Sequence, residues 1–117
     1  MQTLSQRRAK AALDLLSKIE EKGDKRKEFT QFCKSFPTMV LKNGLGESLA
    51  FIRSKHEKRY EIMYDTLNAW LVKELKLVKK DTFLEIHEMD AKKYVQIQTE
   101  SLRFLEWVKR YESAEIF

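Results

Sequence analysis

YEIMYDTLNAWLVKEL, residues 60–75, decides the fold class. Tyr60, Met63, Tyr64, Leu67, Trp70, Leu71 and Leu75 step through it by three or four, so they share one face of a helix and cannot share one face of a strand. The stretch Lys76 to Lys80, with three lysines, ends this helix.

Reading outward toward the amino terminus, LGESLAFIRSK from Leu45 predicts a short helix that buries Leu49 and Ile52, with Arg53 and Lys55 near the negative end of its dipole. Asn43-Gly44 before it is a stop signal with a left-handed cap. Upstream, Phe29, Phe32, Cys33 and Phe36 share a face of a helix that Asp24 is placed to cap, and Pro37 either kinks that helix or starts a new one. Thr3 and Gln6 have the form of a capping box, opening a first helix expected from Leu4 to Lys22. Toward the carboxyl terminus, Asp81 is placed to cap a short turn through Phe83, Leu84 and Ile86. Asp90 then starts a last helix whose seam is Tyr94, Ile97, Ser101, Leu105, Val108 and Tyr111, widened by Leu102, Phe104 and Trp107.

Three glycines and one proline leave few turn positions for a strand-rich chain. The expectation is therefore an all-α protein, a compact bundle of about five to six helices forming one domain over residues 1–117. At 43% hydrophobic and 35% charged residues, the core is sufficient for folding and the surface strongly ionic. The single cysteine excludes an internal disulfide, MQTLSQRRAK lacks the apolar run of a signal peptide, and no apolar stretch approaches membrane-spanning length. A cytoplasmic location is expected.

Catalytic chemistry is hard to assemble from these residues, and no cofactor is expected. Cys33 lies on the phenylalanine face, where desolvation disfavours a thiolate. His56 stands among Lys55, Lys58 and Arg59, which discourage its protonation, and His87 is distant in sequence. Glu85, Glu88 and Asp90 suggest a divalent ion only weakly, because helix caps and solvated charges explain them equally well. Trp70 and Trp107 fall on or beside apolar seams and read as core before they read as base-stacking platforms. NGLG, residues 43–46, lacks the lysine and spacing of a phosphate-binding loop. No catalytic residue and no metal ligand is assigned.

The net charge is +5, from 23 Lys and Arg against 18 Asp and Glu. Arg7 and Arg8 stand at the positive end of the first helix with no acidic residue before Asp14, a placement that points to an anionic partner.

Three blocks, SQRRAKAAL (5–13), FPTMVLKNGLGESLAFIRSK (36–55) and YVQIQTESLRFLEWVKRY (94–111), together resemble the small-subunit family of type III-B CRISPR RNA-silencing effectors, the Cmr complexes. The middle block is the most specific, with its proline, apolar triplet, Asn-Gly-Leu turn and Leu-Ala-Phe helix ending in Ser-Lys. Ser101 departs from the alanine usual in that family, and Tyr111 from phenylalanine. The resemblance implies a non-catalytic helical subunit. Such subunits stack in several copies beside the backbone subunit and help to hold the duplex of guide RNA and target RNA in antiviral defence. Its implied partners are other Cmr subunits, further copies of itself, and both RNAs. Sign and placement nominate Arg7, Arg8, Lys42, Arg53, Lys55 and Arg59 as RNA-binding residues. Two alternatives stand beside this reading: the small subunit of a type III-A or type I-E effector, and a helical adaptor that binds only protein.

Overall fold

The computed structural model describes residues 1–117 as six α-helices with no strand. They are α1 (Leu4–Ser17), α2 (Gly23–Asn43), α3 (Leu45–Ser54), α4 (Lys58–Ala69), α5 (Thr82–Ile86) and α6 (Ala91–Ser113), and α4 runs on into a π-helical turn, Trp70–Glu74. One cluster of 24 buried hydrophobic residues, drawn from all six helices, the π turn and the segment after it, forms the core.

Local chemistry sets most boundaries where the sequence placed them. Thr3 and Gln6 form the reciprocal capping box of α1. Asp81 and Asp90 accept backbone N–H groups at the starts of α5 and α6. The first helix ends at Ser17 rather than Lys22. Continuing it would set Glu20 and Glu21 against the negative end of its dipole. Instead Ile19 turns back against the core and Glu21 lies 3.7 Å from Lys58. Asp24 is not the cap of α2, which begins one residue before it; it sits in the first turn and complements the dipole from there. Pro37 breaks neither the run nor the helix: α2 is continuous through it, and burial of its ring offsets the lost bond to the Cys33 carbonyl.

Two features lay beyond the reach of periodicity. The segment 60–75 is not regular throughout, because the Leu75 N–H reaches back five residues to the Trp70 carbonyl at 2.9 Å. This wider turn keeps Trp70 and Leu71 buried while the chain exits through Lys76 at φ 56°. Gly44 stops α2 as expected but at φ 84°, ψ 158°, a region essentially open only to glycine, rather than in the left-handed helical well. The reason is a close approach: the Leu45 and Gly46 N–H groups donate to Gln98 Oε1 and Tyr94 Oη of α6, both at 2.8 Å. A Cβ on Gly46 would meet that hydroxyl at 3.3 Å.

Helices α1 and α6 run in the same direction. Arg8, near the start of α1, meets Glu100 at the middle of α6, and Arg26 bridges the Leu16 carbonyl to Glu112 near the ends of both. Helix α2 runs against α6, from Glu112 at its own beginning to Tyr94 and Gln98 beyond its end.

Candidate nucleic-acid interface

The six nominated residues fall into three places. Arg53, Lys55 and Arg59 converge at the corner between α3 and α4, where each cation lies over an aromatic ring. Arg53 is 4.5 Å from the centroid of Tyr64, Arg59 4.8 Å from Tyr60, and the Lys55 ammonium 5.3 Å from Phe51. Two of these rings touch: Phe51 meets Tyr60 edge-on at 5.5 Å, and Tyr60 in turn meets the Phe32 ring of α2 edge-on at 4.9 Å. A face-on ring attracts a cation and limits the conformers of its long side chain. These charges are therefore placed before any partner arrives.

Their neutralisation within the chain is partial. Arg53 approaches Asp81 only at 3.9 Å, and Arg59 approaches Glu57 at 3.3 Å. The Arg59 Nε–H is buried without an acceptor. A cavity of about 350 Å³ opens there, lined by Arg53 and Lys55 with His56, Glu61 and Asp65. Desolvation, reinforced by Glu61 and opposed by Arg53 and Lys58, raises the Asp65 carboxyl above its ordinary pKa.

Beneath the corner a polar node holds the elements together. The Tyr64 hydroxyl donates to Asp81 and accepts the Phe83 N–H, so α4 is tied to the start of α5. Burial, and then that bond, push the phenol well above its usual range and keep it protonated as a donor. Asn68 Oδ1 adds a second tie, accepting from both the N–H and the hydroxyl of Thr82.

Lys42 stands apart, exposed on the last turn of α2. Arg7 and Arg8 lie elsewhere again and differ from each other. Arg7 is exposed, with one long bond of 3.4 Å to the Glu74 carbonyl. Arg8 has an anionic partner already inside the chain. Its guanidinium forks onto Glu100 at 2.7 and 2.8 Å, with 12% and 8% of the two side chains exposed. That hydrogen bonding raises the guanidinium pKa further. The uncompensated start of the first helix is thus compensated from α6.

A matching pair, absent from the sequence reading, closes the far end of α6. Arg26 forks onto Glu112 at 2.9 and 2.6 Å, and the Thr30 hydroxyl donates to the same carboxylate. The signal was available: Glu100 and Glu112 fall at helical spacing with Ile97, Phe104 and Val108, which is the buried face.

The tempting catalytic residues have structural work. Burial, followed by the Glu112 charge, pushes the Cys33 thiol well up. Glu85 accepts the backbone N–H groups of Lys79, Lys80 and Asp81, and Asp90 caps α6. Trp70 stacks on Phe104 at 5.1 Å and 7° and donates its indole N–H to Glu100. Trp107 packs half-buried against Tyr111. No helix is long and apolar enough to cross a membrane.

Comparison with known proteins agrees with this architecture. The family model described as CRISPR-associated protein (Cas_Cmr5) matches residues 4–115. A curated protein of Thermotoga maritima, CRISPR system Cmr subunit Cmr5, is 28% identical over 110 residues, spanning 94% of this chain and 82% of the relative. The crystal structure of a CRISPR-associated Cmr5 family protein from Thermus thermophilus aligns over the whole of both chains with a TM-score of 0.80 at 26% identity.

Proposed function

The chain belongs to the CRISPR-associated Cmr5 family, the small subunits of type III-B Cmr complexes, and from that premise we propose that it is a non-catalytic, RNA-contacting subunit of such a complex in antiviral defence. It works in the cytoplasm as one domain, beside the backbone subunit and further copies of itself. Its contribution is to hold the phosphate backbone of the paired guide and target RNA.

The observation that carries this reading is the α3–α4 corner, with three cations each preset over an aromatic ring and only partly neutralised. Phosphate contacts of this kind add affinity and position without reading sequence. Sequence is then read by base pairing between the two RNAs. Lys42 is a separate exposed cation on α2 available to the same phosphate backbone, whereas Arg8 is held by Glu100 inside the fold.

The test is target retention by the assembled complex when Arg53, Lys55 and Arg59 are all changed to Gln. Affinity falls by a similar factor for unrelated target sequences, and every phosphate no longer neutralised lowers the slope of log affinity against log salt by about 0.7 to 0.9. Wild-type salt dependence in a normally assembled variant overturns the assignment.

A further inference from the structure

Between the start of α1, the exit of the π turn and the middle of α6 lies a cavity of about 500 Å³. Leu4, Leu75 and Leu77 give it apolar walls, and Arg7, Arg8 and Arg103 bring guanidinium groups to it. Arg8 is saturated by Glu100. Arg7 has one long bond to a carbonyl, and Arg103 is exposed with no ion pair. Two available cations beside leucine walls match a carboxylate flanked by large apolar side chains. A phosphate backbone would satisfy the arginines and leave the leucines facing water.

The chain carries a segment of that chemistry beyond the carboxyl end of the same helix. After α6, Glu115 adopts φ 54°, and Ile116 and Phe117 are left 53% and 41% exposed. The one aromatic contact of this segment is Phe117 over Arg26 at 5.7 Å, and Arg26 keeps Glu112 whether or not that ring stays. We infer that residues 113–117 of one copy, with Glu115 between Arg7 and Arg103 and Ile116 and Phe117 against the leucines, dock into this cavity of a second copy.

Position argues for a second copy rather than self-insertion. The cavity lies at the Glu100 level of α6, and the segment leaves beyond Glu112, which at 1.5 Å per residue is about 18 Å farther along. Because segment and cavity are unlike surfaces, the contact is heterologous: repeated head to tail it gives a row of copies wherever its rotation does not close a ring. The inference deepens the reading that copies stand side by side in the complex, and supplies the connection between them.

A peptide of residues 113–117 with both ends blocked, titrated into the isotope-labelled full chain, tests it directly. The expected result is a perturbation of the amide signals of Leu77 and Arg103, weakened at least tenfold by Arg103→Glu in the protein and restored when the peptide carries Glu115→Arg. Absence of binding at the cavity at millimolar peptide overturns the inference. So does an RNA oligonucleotide that perturbs those signals while the peptide does not, or binding that Arg103→Glu leaves unchanged. Because the assay needs neither the other subunits nor RNA, its failure leaves the small-subunit reading intact, and failure of the RNA-retention test leaves this one intact.

Discussion

Arg8 and Arg26 are each 12% exposed and forked onto a glutamate of α6, whereas Arg53 and Arg59 at the α3–α4 corner keep 43% and 33% of their side chains in solvent and lie over tyrosines. The residue type is the same and the consequence opposite. In the first pair, two charges have left water together, and each has little freedom to serve a partner outside the chain. At the corner, the rings hold the cations in place without cancelling them. Position relative to the apolar face of α6, rather than local basic density, separates arginines that hold the fold from arginines available to a partner.

The largest effect expected on stability comes from breaking a buried pair. Glu112→Ala leaves the Arg26 guanidinium, one of whose nitrogens already lacks an acceptor, and the Thr30 hydroxyl without their anion. Removing one partner of such a pair costs about 3 to 5 kcal/mol. Chemical denaturation checks this. The double variant Arg26→Met with Glu112→Leu should recover most of the loss, since apolar groups of similar volume replace buried ion pairs at little cost. A double variant no better than the single one would show that the pair does more than neutralise itself.

Next in size is Gly44→Ala, which tests whether α6 fixes the α2–α3 turn. An alanine at φ 84°, ψ 158° is strained by about 1 to 3 kcal/mol, and its Cβ would meet the Tyr94 hydroxyl at 3.4 Å. Tyr94→Phe relieves the approach but removes the acceptor of the Gly46 N–H, so it does not rescue Gly44→Ala in thermal unfolding. Rescue would mean that crowding, and not backbone strain, sets the requirement for glycine.

The order of these effects shows what was legible beforehand. Apolar spacing placed five of the helices, and capping residues placed the starts of α1, α5 and α6, because both signals are local and act within a turn. Glu100 and Glu112 were missed because the partner that makes a glutamate tolerable in a core lies 92 or 86 residues away. The π turn and the unusual conformation of Gly44 were missed for a related reason: Trp70 stacks on Phe104 and Gly44 stands beside Tyr94, both partners on α6 and remote in sequence, and neither contact leaves a mark on the hydrophobic period. Of the candidate site, the sequence yielded the sign of the charge at Arg53, Lys55 and Arg59. Two of the rings beneath them are sequence neighbours, Phe51 four residues before Lys55 and Tyr60 next to Arg59, whereas the Tyr64 ring under Arg53 became visible only once α3 was folded against α4.

For the corner itself, the expected stability change is small. Arg53→Gln, Lys55→Gln and Arg59→Gln together should alter the unfolding free energy of the isolated chain by no more than about 1 kcal/mol for each exposed ion pair removed, in contrast to Glu112→Ala. A loss as large as that of the buried pair would turn the corner into a structural node and remove the comparison.

The smallest effect tests whether an exposed carboxylate can still be bound tightly by the backbone. Glu85 receives the N–H groups of Lys79, Lys80 and Asp81 at 2.8, 2.7 and 2.9 Å. Desolvation acts to raise its pKa, but those amides, with the Lys79 charge, prevail and hold it below the ordinary value. A carboxyl depressed in the folded state contributes stability that is present above the unfolded pKa, about 4.3 for glutamate, and lost as pH falls through the folded value. Asp65, raised by burial, acts with the opposite sign over the same acid range, so the unfolding of the wild-type chain alone mixes the two. The difference between wild type and Glu85→Gln removes the Asp65 contribution. Glutamine still offers an oxygen to the amides but carries no charge. Thermal unfolding should therefore show wild type more stable by a fraction of a kcal/mol at neutral pH, on the scale of exposed ionic contacts. That gap should narrow as pH falls below about 4.3. A gap that stays constant down to pH about 3 would mean that the three amides hold Glu85 by hydrogen-bond geometry alone and that its charge contributes nothing.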